Sequence, residues 1–418
     1  NACLTSPPST GTSTKRRKMP DLKPPGAPSL AVAGAPSLLS PRGEGDEVQC
    51  QKSTAVPMYG ETGEAPPGPS LSSEDRPDIV NDRWHLTRKM GEGAFGMVFK
   101  GMDKDTQDLV ACKLEDASSP EAGMLENEAT LLRMLANGAS CPKNCFPHVF
   151  FYGKQAGWNI LTMELLGLTL EDAMDLCGKL DLRSVLLIVD RLIVILAYLH
   201  SRCIVHRDIK CENFMFGRGP KAHHLHMIDF GMSCPYWVGK RHQTQCRGQD
   251  LTGTARYASI NAMKGSTQSR RDDLEAVGYM LIHLLKGSLP WAGLKVDDFK
   301  ERLQRILYMK RTMPVEELCK DLPEEFESYV DNAKNMRFDK RPNYDAIRGM
   351  FRELREKQSP PIEDHHLLWL VKEDSKLKVE DPSPLEPLQK IDRCAAQPEE
   401  TGGVTAEARK PVVHRDTE

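Results

Sequence analysis

Gly91, Gly93 and Gly96 are spaced so that a hairpin can lie close over a polyphosphate, its backbone N–H groups reaching the oxygens with no Cβ in the way. A flexible hairpin tip explains the same three glycines, and a dinucleotide-binding turn shares their spacing. The residues that follow disfavour the dinucleotide, since Val98 and Phe99 continue an extended pattern instead of opening a helix. Strand alternation over Val110–Lys113 then puts Ala111 and Lys113 on one face and Cys112 on the other, so a small residue and an amine share the surface under the hairpin. A helix expected over Met124–Leu135 offers that amine two acids, Glu126 and Glu128, and the run from Glu128 to Leu132 fits its inward stripe better. The alternative is a plain surface lysine on a half-exposed strand.

The most specific runs come later: His206-Arg207-Asp208-Ile209-Lys210-Cys211-Glu212-Asn213, then Ile228-Asp229-Phe230-Gly231. With the glycine hairpin and strand lysine ahead of them, they resemble the catalytic-loop and metal-binding signatures of protein kinases. The resemblance implies an α+β, bilobal protein-kinase fold, with a small β-rich N-lobe and a larger α-helical C-lobe. It also implies transfer of the ATP γ-phosphate with Mg2+ as cofactor. Such transfer needs positioning, charge neutralisation and a group to take the hydroxyl proton. On this reading Asp208 is the base, while Asn213 and Asp229 supply oxygen ligands for magnesium. Lys113, held by Glu128, grips the α- and β-phosphates, and Lys210 meets the γ-phosphate. Lysine at position 210 also favours a serine/threonine over a tyrosine acceptor. A catalytically silent nucleotide-binding scaffold would be expected to lack Lys113, Asp208, Asn213 or Asp229, and a small-molecule phosphotransferase to have an altered Thr252–Asn261 segment.

A narrower resemblance rests on Leu251-Thr252-Gly253-Thr254-Ala255-Arg256-Tyr257-Ala258-Ser259-Ile260-Asn261, where most kinases carry Ala-Pro-Glu, on Gln268–Glu275 and on Gly287–Lys295. Over about 84–355 the chain is similar to the casein kinase 1 family. The similarity implies a hinge at Met163-Glu164-Leu165-Leu166-Gly167, with adenine bonded to backbone near Glu164 and Leu166 behind a Met163 gatekeeper. Met90, Val98, Ala111, Met215 and Ile228 would form its apolar sandwich, though each alone also reads as core. Asp273 would brace the catalytic loop through its backbone. Substrates would be protein segments that are acidic or already phosphorylated, met by Arg256 with Lys295 nearby; Arg256 as a tie for its own segment is the competing reading. The family's usual Pro-Asp is Cys211-Glu212 here. Its basic residues after the Asp-Phe-Gly and before the Leu-Thr-Gly are replaced by Cys234 and Gln249-Asp250, which weakens a second anion patch near Arg207.

The elements that must hold these residues are confined by composition. Only Tyr59 among the aromatic residues precedes position 81, and none follows Trp369, so a packed core fits only between them. Thirteen of the 29 prolines crowd the first 80 residues, and a segment with so little to bury is expected to be disordered. The expected division is a disordered extension over 1–81, the N-lobe over 82–166, the C-lobe over 167–372 and a charged disordered tail over 373–418. A net charge of -3 excludes a basic nucleic-acid-binding protein. The most apolar stretch, Val185–Leu199, is broken by Asp190 and Arg191 and reads as a buried helix, not a membrane span. Twelve irregularly spaced cysteines are expected to be reduced thiols, placing the protein in the cytoplasm or nucleus. Lys15-Arg16-Arg17-Lys18 is either a nuclear-import signal or a solvated charge run. A monomer is expected. His223, His224 and His226 lack ligand spacing for zinc.

Overall fold

The computed structural model of the protein describes residues 76–93, 96–119, 122–363 and 367–369. Most of the first expected tail and all of the second lie outside them. The chain opens with an antiparallel sheet of β1 (Ile79–Val80), β2 (Trp84–Gly93), β3 (Gly96–Asp103), β4 (Leu109–Asp116), β5 (Val149–Gln155) and β6 (Trp158–Glu164), in the order β1-β2-β3-β4-β6-β5. β1 lies ahead of position 82, and Val80 is fully buried. Helix α1 (Met124–Ala136) interrupts the sheet sequence.

The helical part begins with α2 (Leu170–Cys177) and α3 (Leu182–Ser201). Thr169 starts α2 through a reciprocal capping box with Asp172, and Asp181 accepts the Ser184 N–H at the start of α3, so each helix begins where a side chain satisfies an orphan backbone donor. Short strands β7 (Ile204–Val205), β8 (Phe214–Phe216), β9 (Leu225–Met227) and β10 (Cys234–Pro235) frame the connecting loops. A two-stranded ribbon, Trp237–Val238 with Arg241–His242, precedes helices α4 (Ile260–Met263), α5 (Arg270–Lys286), α6 (Phe299–Thr312), α7 (Val315–Leu318), α8 (Glu324–Lys334) and α9 (Tyr344–Glu356). Helix α3 is apolar almost all round because it runs through the core: Leu186, Val189, Ile193 and Leu196 are all at most 1% exposed.

Two apolar clusters form. The smaller covers one sheet face, from Trp84 and Phe99 to Leu114 and Ile160. The larger surrounds α3 and α5 and also takes Leu125, Ala129, Leu132 and Leu135 of α1, with Leu161 of β6. The core therefore divides at the sheet, and α1 packs with the helices although it lies among the strands in sequence. No helix among the described residues is long and apolar enough to cross a membrane. Eight of the described cysteines are free thiols, whereas Cys246 is disulfide-bonded, which departs from the expectation of reduced thiols throughout.

Candidate active site

The glycine hairpin is the β2–β3 turn, where Gly93 pairs with Gly96. The three glycines differ in kind. Gly96 has φ 131°, and a Cβ there would lie 2.0 Å from the Leu114 carbonyl oxygen, so glycine is required by the protein's own packing. Among the described residues a Cβ on Gly91 or Gly93 would meet no atom within 4 Å, and both glycines are exposed. Their lack of side chains leaves a backbone surface open to close approach.

On the sheet, β3 and β4 pair Val98 with Lys113, and β4 and β6 pair Ala111 with Met163. Residues directly opposite in an antiparallel pair share a face, so Val98, Ala111, Lys113 and Met163 lie on one side and fully buried Cys112 on the other. Val98, Met215 and Ile228 are half-buried and join neither apolar cluster, and Met90 is 45% exposed. These side chains line a boundary and do not fill the core. Glu164 ends β6, and buried Leu166 follows in the segment leading to α2.

Lys113 Nζ lies 2.7 Å from Glu128 Oε2 and 3.4 Å from Asp229 Oδ1. Glu128 sits on the buried stripe of α1, while Glu126 is exposed. Burial works against the Lys113 charge, but the Asp229 and Glu128 carboxylates outweigh it and raise the ammonium pKa above its ordinary value. Asp229 likewise ionises below its ordinary range: burial opposes this, and the charges of Lys113, His206 and Lys210 prevail. Asp229 adopts a left-handed φ of 60°, with Phe230 behind it fully buried and packed edge-on to His206.

Asp208 is 7% exposed and held from several directions. Lys210 Nζ lies 2.9 Å from Oδ2, and Asn213 Nδ2 donates to the Asp208 carbonyl at 2.9 Å and to Oδ2 at 3.3 Å. Burial disfavours the Lys210 charge, yet the Asp208 carboxylate raises its pKa. The loop is braced from α5, where Asp273 accepts the backbone N–H groups of His206 and Arg207 at 2.8 and 2.9 Å and lies 2.9 Å from His200 Nε2. Cys211 and Asn213 form a single 3-10 turn leading into β8, and the buried Cys211 thiol has its pKa pushed up by burial.

Two further residues, unmarked as site residues in the sequence, join this network. Thr254 donates its backbone N–H and its hydroxyl to Asp208 Oδ1. Lys310 of α6, 1% exposed, donates to the carbonyls of Ala255 and Ala258 at 2.9 and 2.6 Å and lies over the Tyr279 and Trp291 rings. The segment between those carbonyls carries Arg256. Its guanidinium lies 3.5 Å from Glu171, and Trp291 donates to its carbonyl. Lys295 is exposed and has no ion pair among the described residues. Arg207 donates Nε to the Met232 carbonyl at 2.6 Å. Among the described residues the one clustered His/Cys/acid group is Glu171, Cys211 and His283, with the Tyr257 hydroxyl bonded to both His283 and Cys211.

A family model described as protein kinase domain matches residues 84–350. That is more than half of the chain, and the protein belongs to this family. It is a protein kinase, a phosphotransferase acting on proteins, and the family generally uses ATP and Mg2+. The residues present fit such a nucleotide. Gly91 and Gly93 leave backbone open to phosphate, Asp229 is ionised, and Asn213 spends its amide N–H groups on Asp208, leaving Oδ1 as a ligand oxygen.

Proposed function

We propose that the protein is a serine/threonine kinase of casein kinase 1 type, phosphorylating acidic or phosphate-primed protein segments. The observation that carries the catalytic part is the convergence of Lys113 on both Glu128 and Asp229, which ties α1 to the metal-binding carboxylate through one ammonium. Asp208 orients the acceptor hydroxyl and takes its proton. Lys210, beside Asp208, offers its ammonium to the transferring phosphoryl group. Asn213 and Asp229 would hold magnesium, which when bound neutralises phosphate charge. Val98, Ala111, Met163, Met215 and Ile228 supply an apolar surface for adenine, with Met90 at its rim and the backbone of Glu164 and Leu166 at its edge.

The casein kinase 1 assignment is favoured by how Ser259-Ile260-Asn261 is used. Ser259 caps α4 by accepting the Ala262 N–H and donates its hydroxyl to Asp272 at 2.6 Å, while Glu275 accepts the Ile260 N–H. With Thr254 bonded to Asp208 and Ser259 only 1% exposed, the segment is anchored by its own hydroxyls, which supports activity without prior phosphorylation there. The test is transfer of labelled phosphate from MgATP to an acidic protein, followed by phosphoamino-acid analysis. Label on serine and threonine is expected. Label on tyrosine, or transfer to basic but not acidic substrates, would contradict the assignment.

A further inference from the structure

A cavity of about 300 Å³ opens between α3, α9 and the β8–β9 hairpin, sharing no lining residue with the site above. Its floor is apolar, with Leu187, Ile188, Phe216, Leu225 and Leu367. Among the described lining residues the rim is basic, with Arg191, Arg348 and Arg352 beside the carboxylate of Asp190 and with Arg355, which donates to the Ile362 carbonyl at 2.6 Å. Arg348 engages both oxygens of that carboxylate, at 2.9 and 3.1 Å, and Arg352 reaches Oδ1 at 3.1 Å, so Asp190 is already shared between two guanidiniums. Arg191, partly buried, makes no ion pair or hydrogen bond among the described residues. His223 also lines the cavity and stacks on His224 at 4.2 Å between ring centroids. Burial first, then the charges of His223 and Arg191, hold the His224 pKa down to about 4, as expected beside an excess of positive charge. Its buried Nδ1 has no hydrogen-bond partner among the described residues.

Solvated arginines on an open, convex face would need no ligand. Here Arg348 and Asp190 are roughly three-quarters buried, with side-chain exposures of 24% and 22%, Arg191 is partly buried and Arg352, 54% exposed, stands at the mouth above a floor of apolar residues. Guanidinium groups match phosphate oxygens two at a time, and a volume at the small end of ligand cavities, which begin at about 300 Å³, suits a small molecule better than a peptide segment. We propose that this cavity binds a small organic phosphate, its anionic head on Arg191 and Arg352 and a ring or short acyl body on Leu187, Phe216 and Leu367.

The experiment is calorimetric titration of the full chain with phenyl phosphate, and separately with inorganic phosphate, at fixed ionic strength. The proteins are wild type, Arg191→Gln, Arg191→Gln/Arg352→Gln and Lys113→Met. Arg191→Gln removes no ion pair or side-chain hydrogen bond among the described residues, and thermal melting of each variant verifies its folding. Phenyl phosphate should bind wild type and Lys113→Met alike, and about tenfold or more weaker to Arg191→Gln, the equivalent of one lost charge-assisted hydrogen bond. The double variant should be weaker still, and inorganic phosphate should bind less tightly than phenyl phosphate. No binding to wild type at millimolar concentration would overturn the proposal, as would unchanged binding to the arginine variants. Loss of binding in Lys113→Met would assign the heat to the nucleotide site instead, and equal affinity for the two phosphates would remove the apolar floor from recognition.

Discussion

Thr254 places two hydrogen bonds on one oxygen of Asp208, its backbone N–H at 2.9 Å and its hydroxyl at 2.8 Å. The other oxygen faces Lys210 and Asn213. The segment that would receive substrate thus fixes the carboxylate that would take the substrate's proton, and Gly253 makes this approach possible: at φ 98°, a Cβ there would lie 2.3 Å from the Arg207 carbonyl.

Replacing Thr254 by Val should therefore lower kcat by about tenfold, the usual scale for losing a hydrogen bond to a charged group, with KM for ATP unchanged. Thr254→Ser should recover most of the rate. Steady-state kinetics on one acidic peptide would check this, and an unaltered kcat in Thr254→Val would show that the hydroxyl does not position Asp208.

Lys310 gives a second prediction. Burial lowers its ammonium pKa to about 7 against the opposing charge of Glu275, and its Nζ bridges the Ala255 and Ala258 carbonyls. Lys310→Met keeps the length of the side chain and removes the bridge. KM for protein substrate should rise about tenfold, on the scale of one lost hydrogen bond to a charged donor, with KM for ATP unaffected. Thermal stability should fall as well, because the substitution removes one partner only and leaves buried Glu275 without that opposing charge and the Ala255 and Ala258 carbonyls without their donor. A drop in kcat with both KM values constant would place Lys310 elsewhere in the cycle.

Much of the site was legible where chemistry repeats locally. Alternation along β4 separates Lys113 from Cys112, and helical spacing on α1 selects Glu128 over Glu126, because both patterns record which face meets the core. The helix through Val185–Leu199 and the strand after the glycines were legible for the same reason. Thr254 and Lys310 were not, since their partners lie 46 and more than 50 residues away and nothing in their neighbours' periodicity marks them. The packing of α1 with the distant helices is of the same kind. Arg256, which similarity alone marked with nearby Lys295 as an anion pocket, lies 3.5 Å from the carboxylate of Glu171, a partner no local pattern announces.

That carboxylate sets a third expectation. If Arg256 recognises a priming phosphate, it must exchange Glu171 for the ligand. Arg256→Ala should reduce activity on a primed peptide far more than on an unprimed acidic one, whereas Glu171→Gln should raise the preference for the primed peptide by freeing the guanidinium. Equal effects on both peptides would leave Arg256 as a structural tie.

Asp272 predicts a pH dependence of stability. Burial raises its carboxyl pKa to about 6 from 3.8, opposed by the Ser259 hydroxyl, the Ser269 N–H and Arg271. The folded state then binds this proton more tightly than the unfolded chain, so the group's stabilising contribution is full below pH 3.8, declines as pH rises to about 6 and is absent above. Across that window Asp272→Asn should gain on wild type by at most roughly 3 kcal/mol, two pKa units' worth. Urea unfolding at a series of pH values would show it, and a constant difference between the two proteins would refute the shift.

The most direct measurement is single-turnover phosphoryl transfer from labelled MgATP to a saturating acidic peptide, comparing wild type with Asp208→Asn after nucleotide binding to each has been verified by titration. Positioned acid–base catalysis contributes at least about a hundredfold, so Asp208→Asn should bind nucleotide as wild type does and transfer phosphate about a hundredfold or more slowly. Transfer at the wild-type rate by Asp208→Asn would contradict the assignment of Asp208 as the base, and no transfer by either protein would contradict the catalytic reading of the whole site.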